Sequence, residues 1–216
     1  MRTLFLAAVL LAAPAGAADR SASSPGPAPA QVTVRLVWSD PANLLPLGFD
    51  VMAKEVHGIF RRAGVEVVWR LADTQPAEGD ERNVILLPND PAGSLHRRET
   101  MGRVERRGDT GLWVFAKKVR QTLGLGPATV QRATLEDQRD YPRALGRIVA
   151  HELVHAIIPD EPHAARGLMQ ASLNRAVLAA PRVDIDERCA DLVVRELEAR
   201  SASEPALVAM APSSDR

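Results

Sequence analysis

The stretch from His151 to Met169, HELVHAIIPDEPHAARGLM, organises the reading of the whole chain. Positions four apart on an α-helix lie one turn apart on one face. A helix through Ala144 to Ile158 (ALGRIVAHELVHAII) therefore aims two imidazoles, His151 and His155, at a single point, with Glu152 beside them. Gly146, Val149, Leu153 and Ile157 form a small, apolar stripe on the face turned away from the histidines, which predicts a helix packed on a sheet. Two imidazoles on a well-buried helix are costly unless they find a partner. Pro159 lacks a backbone donor and ends the helix. Asp160, Glu161 and Pro162 then turn the chain, and His163 follows where it can come back towards the pair.

Upstream, Gln31 to Trp38 (QVTVRLVW) alternates apolar and polar residues as a half-buried strand does. Phe49 to Ala63 places Phe49, Met52, Ala53, Val56, Ile59 and Phe60 on one helical stripe, and Gly64 ends it. Val65 to Arg70 (VEVVWR) reads as a second strand, Asn83 to Leu87 (NVILL) as a third closed by Pro88, and Thr110 to Val119 (TGLWVFAKKV) as a further one. Residues 72–82 and 88–108 read as loops. The last helix is Asp184 to Arg200. This order predicts an α/β (α+β) fold: a mixed, twisted sheet packed on the histidine-bearing helix, with hairpin-like connections after the first crossover and a small, mainly helical C-terminal subdomain.

Arg2, the apolar run Leu4 to Ala13 and the small residues Ala15-Gly16-Ala17 have the form of a secretory signal peptide. The run is shorter than the roughly 20 residues of a membrane-spanning helix. Residues 1–18 are thus expected to be removed, leaving no stable membrane insertion and an exported chain, periplasmic or extracellular. Residues 19–30 (DRSASSPGPAPA) read as a disordered linker, 31–200 as the folded domain, and 201–216 as a disordered tail. A single cysteine, Cys189, allows no intramolecular disulfide and reads as a buried small residue on a helix. Lys plus Arg equals Asp plus Glu at 27 each, so the basic excess of a nucleic-acid binder is missing. Arg97, Arg98, Arg103, Arg106 and Arg107 cluster loosely but are interrupted by Glu99, Glu105 and Asp109, as on a solvated surface. His57 and His96 stand outside any motif and read as surface residues. A monomer is expected.

The spacing His151-Glu152-x-x-His155 is the H-E-x-x-H arrangement, in which two histidines hold zinc and the glutamate acts as general base on a water lying between itself and the ion. Structural zinc sites fill four positions with protein ligands, whereas catalytic ones use three plus water, and three histidines fit the catalytic case. Imidazole suits zinc, which favours His163 as third ligand; Glu161, two residues earlier among turn residues, is the alternative in the loop.

This segment resembles the metzincin clan of zinc metallopeptidases, whose motif runs on from H-E-x-x-H to a third ligand and a Met-turn. It is most similar to small exported bacterial members with a longer ligand loop ending in histidine, followed by Gly, an aliphatic residue and Met: here His163, Gly167, Leu168 and Met169. The resemblance implies Zn2+ held by His151, His155 and His163, Glu152 as base, and Met169 in a turn beneath the metal. Met169 followed by Leu173, Val177 and Leu178 also reads as core on a short helix. The usual clan pattern puts Gly at position 158 and the ligand at 161, where this chain has Ile158 and Glu161. Some members carry a supporting Tyr after the Met-turn, but the single tyrosine here, Tyr141, precedes the helix. A protein or peptide substrate is implied, paired with an edge strand. Gly111 to Phe115 is the best edge candidate, an interior strand being its other reading. Thermolysin-like peptidases instead take a glutamate from a later helix in an E-x-x-x-D pattern, which Glu187 and Asp191 fit, although both also suit a solvated helix face. The expected function is a secreted zinc-dependent peptidase using Glu152. The alternatives are a thermolysin-like peptidase with Glu187 as ligand, or a zinc-stabilised binding module without turnover, which has no use for a general base.

Overall fold

The computed structural model describes residues 32–72, 80–91, 100–105, 111–126 and 135–209. The signal segment, the linker, His96, and the arginines at 97, 98, 106 and 107 lie outside the described residues. No helix among the described residues is long and apolar enough to cross a membrane.

Five strands form one sheet: β1 (Val32–Ser39), β2 (Val65–Leu71), β3 (Arg82–Leu87), β4 (Gly102–Glu105) and β5 (Gly111–Phe115), in the order β2-β1-β3-β5-β4. β1 runs parallel to both β2 and β3, and β3 parallel to β5; only β4 is antiparallel, on β5. Parallel neighbours need a crossover, and the first is helix α1 (Phe49–Arg62), which buries Met52, Val56, Ile59 and Phe60. Asp50 in its first turn and Arg61 and Arg62 in its last complement the helix dipole. Gly64, at φ +84°, takes the left-handed turn into β2. β2 and β3 are not a hairpin pair, since both flank β1.

Three segments differ from expectation. Ala116–Leu123 is helix α2 rather than the end of a strand: Ala116, Val119 and Leu123 are buried at helical spacing, and Lys117 between them is exposed. β4 lies inside residues expected to form a loop. Helix α3 (Leu135–Ile157) starts well before Ala144 and takes in Pro142, which has no N–H to give the carbonyl of residue 138. Beyond α3 the chain carries a short α4 (Arg175–Leu178) and a long α5 (Glu187–Ala209), and Cys189 is buried on α5.

α3 packs between α1 and the β4–β5 end of the sheet. Val149, Leu153 and Ile157 are fully buried. Gly146, expected against the sheet, lies instead against α1, where a Cβ would fall 2.8 Å from the Met52 carbonyl oxygen. One residue on, the fully buried Arg147 donates to Glu55 of α1 and to the Val177 carbonyl of α4, both at 2.7 Å. α3 is therefore clamped to α1 and α4 while its other face stays open to the functional groups. Because the obstruction at Gly146 is backbone and cannot rotate away, Gly146→Val should destabilise the fold by about 2 kcal/mol or more, as overpacking does. Denaturant unfolding checks this, and an unchanged midpoint contradicts the close α1–α3 contact.

Candidate metal centre and cleft

His151, Glu152 and His155 project from α3. At its end, Ile158 N–H still bonds the Val154 carbonyl at 2.8 Å, Pro159 stops the helix, and Glu161 N–H closes a turn on the Ile158 carbonyl at 3.2 Å. Arg200 of α5 reaches back to cap the Ile157 carbonyl at 2.7 Å. The return loop carries His163 and leads into a second turn. There Ala164 N–H bonds the Met169 carbonyl at 2.7 Å, around Gly167 at φ +83°. Leu168 and Met169 are buried. Leu168 N–H donates to the Asp184 backbone carbonyl at 3.4 Å, and the Asp184 carboxylate is paired with Arg62 of α1 and with Arg182.

The three histidines come together. Their ring centroids lie 4.7 Å (His151–His155), 4.7 Å (His155–His163) and 5.4 Å (His151–His163) apart. One ligand atom from each lies within 4.8 Å of the others. His151 Nδ1–H donates to the Leu168 carbonyl at 2.8 Å, which leaves its Nε2 as the lone-pair nitrogen. Burial holds the His151 imidazole below its usual range, so it is neutral and able to ligate. The Nε2 atoms of His155 and His163 are 3.1 Å apart. Two lone pairs cannot face each other at that distance without a proton or cation between them, and tetrahedral zinc with Zn–N of about 2.0–2.1 Å separates its nitrogens by roughly 3.3 Å. The residues therefore fit a zinc-like ion.

The group runs from buried His151 to exposed His163, so one side is open to solvent, and no other His, Cys, Asp or Glu among the described residues joins it. Glu161 pairs with Arg188 of α5 at 3.1 Å. Glu187 is exposed in the first turn of α5. Tyr141 is buried beneath the Arg120 guanidinium, 5.0 Å from its ring centroid, and does not line the cleft.

The open side faces a cleft of about 840 Å³. Glu152, His151, His155 and Ile148 line it from α3, Thr100 to Val104 from β4 and its approach, Lys118 and Thr122 from α2, and Gln170 to Asn174 from the segment after Met169. Burial pushes the Glu152 carboxyl up to about 7, a poise at which a carboxyl can take up and return a proton, whereas a cation alongside favours the charged form. Among the described residues the edge strand over the cleft is β4; β5 is interior, between β3 and β4. Phe115 N–H donates to the Met101 carbonyl at 2.9 Å. Backbone groups alternate sides along an antiparallel strand, so those of Arg103 also point at β5, and those of Gly102 and Val104 point outwards at the free edge. Arg103, read from the sequence as part of a solvated cluster, is half-buried, with its guanidinium 5.0 Å over the Trp113 ring and paired with Asp90 at 3.6 Å. The residues of β4 and α2 were missed as cleft walls, and the one signal for them was Gly102 standing alone in a charged segment.

No family model and no curated protein matches the chain. Two solved structures resemble it. Archaemetzincin from Methanopyrus kandleri superposes with a TM-score of 0.53 at 14% identity, over 79% of this chain and 98% of that one. A zinc-dependent peptidase from Methanocorpusculum labreanum gives a TM-score of 0.47 at 13% identity, over 74% of this chain and 99% of that one. At 14% identity the first likeness speaks for the fold alone: the mixed sheet and helices described above are arranged similarly to those of archaemetzincin.

Proposed function

We propose that the chain is a zinc-dependent peptidase of metzincin type, exported and acting on protein or peptide substrates. The observation that carries this reading is the convergence, in one open cleft beside the edge strand of the described residues, of three imidazoles and the Glu152 carboxyl. His151, His155 and His163 would hold the ion, and Leu168-Met169 would form the turn beneath it. When bound, zinc supplies a Lewis acid that polarises the scissile carbonyl and lowers the pKa of a coordinated water.

The chain's own residues do the rest. An extended substrate pairs with the outward N–H and C=O groups of Gly102 and Val104, which lays its backbone across the cleft. Glu152 accepts the proton of the attacking water and returns it to the leaving amine, so that one carboxyl serves as base and then as acid. The buried Leu168 carbonyl keeps His151 in one tautomer throughout. A zinc-stabilised module without turnover leaves Glu152 without a task, which is why the enzyme is preferred.

Outer-shell partners alone change metal affinity by about 10–100-fold, so loss of a ligand should cost at least about 100-fold. Zinc titration is expected to show that loss for His163→Ala, and far smaller effects for Glu161→Gln and Glu187→Gln. A large loss with either glutamate variant and none with His163→Ala reverses the ligand assignment. Glu152→Gln should keep its zinc yet hydrolyse casein about 10²-fold or more slowly than the wild type. Undiminished hydrolysis removes Glu152 from the mechanism.

A further inference from the structure

We propose that Gly102 is a positioning residue for Glu152: its lack of a side chain lets the edge strand lie directly on the glutamate, and so sets how closely a strand-paired substrate approaches the base. The inference rests on the peptidase reading above. A Cβ at position 102 would stand 2.7 Å from Glu152 Cγ, 2.7 Å from its Oε1 and 2.8 Å from Ile148 Cγ2, closer than side-chain atoms approach one another. Ile148 and Glu152 are one turn apart on α3, so the strand rests on a seat made by two successive turns.

Backbone conformation does not require the glycine. Among the described residues positive φ occurs at Gly64, Gly124, Gly167 and Asn43, and Gly102 is not among them. What it provides is space. On the face of the sheet that meets α3, Gly102 stands opposite Val114 and Val104 opposite Leu112. Val114 and Leu112 are fully buried, and by alternation the glycine occupies a place where a β-branched residue is otherwise favoured. The same residue turns its N–H and C=O to the free edge. Gly102 is thus the point where the substrate's backbone, the strand and the general base are separated by no side chain at all.

A methyl group here must push the Glu152 carboxyl aside, raise the strand, or both. Neither change touches the histidines. Displacement by about 1 Å can cost 10²-fold in rate. Gly102→Ala should therefore keep wild-type zinc content while kcat on casein falls by about 10- to 100-fold and KM changes far less. A stability cycle gives a readout without turnover: Gly102→Ala should lower the unfolding midpoint more in the wild type than in the Glu152→Ala background, where the two nearest obstructing atoms are gone and only Ile148 Cγ2 remains. Should Gly102→Ala fold poorly, adding it to Ile148→Ala, which removes the remaining obstruction, must still lower kcat relative to Ile148→Ala alone. Unchanged kcat, a loss confined to KM, or equal destabilisation in both backgrounds overturns the proposal. A zinc-loaded wild type that shows the coupling but cleaves no casein sinks the peptidase reading and the positioning role with it, leaving the contact as packing only.

Discussion

The hydrogen bond from His151 Nδ1–H to the Leu168 carbonyl, 2.8 Å long and closed off from solvent, ties the helix that carries the motif to the turn that follows the ligand loop. A buried imidazole with no partner would be costly, and so would a buried carbonyl in a turn; each satisfies the other. The bond also fixes the tautomer. With Nδ1 committed as donor, the lone pair of His151 lies on Nε2, the nitrogen left to face His155 and His163. The turn that supplies the carbonyl is itself fastened, through Ala164 to Met169 and through Leu168 to Asp184. One interaction therefore sets the depth, orientation and tautomer of the first histidine, while burial holds it neutral.

Arginines hold the remaining pieces against that centre. Arg147 joins α3 to α1 and α4, Arg62 reaches Asp184 beyond the Met169 turn, Arg188 takes Glu161 in the ligand loop, and Arg200 caps the end of α3. The planar guanidinium suits this work because it can serve a carboxylate and a backbone carbonyl together, as Arg147 and Arg62 do. α5 thus braces the loop that carries His163. Of the two half-sheltered carboxyls on the cleft wall, Glu161 is taken by Arg188, and Glu152 is seated beneath the strand.

Much of this was legible in the residues, for identifiable reasons. The i, i+4 spacing of His151 and His155, the apolar back face and Pro159 are local features, and local periodicity reports them. β4 was not legible: its α3-facing residues are Gly102 and Val104, its other face carries Arg103, and the strand is too short to show alternation amid charge. The lysines of α2 hid the spacing of Ala116, Val119 and Leu123. The helix expected from Ala144 starts earlier, at Leu135. Glu161, His163 and Glu187 could not be ranked from spacing alone. What separates them is long-range: Glu161 meets Arg188, 27 residues away, while the loop returns His163 to α3.

The central claim is that these three imidazoles converge to bind one metal ion and leave one side of it open. Zinc-edge X-ray absorption on the purified chain, loaded with one equivalent of zinc, tests it most directly. Three histidine nitrogens at about 2.0–2.1 Å and at least one further light-atom ligand from solvent are expected. A chain that does not retain zinc, or a zinc shell containing sulfur or fewer than three imidazoles, contradicts it.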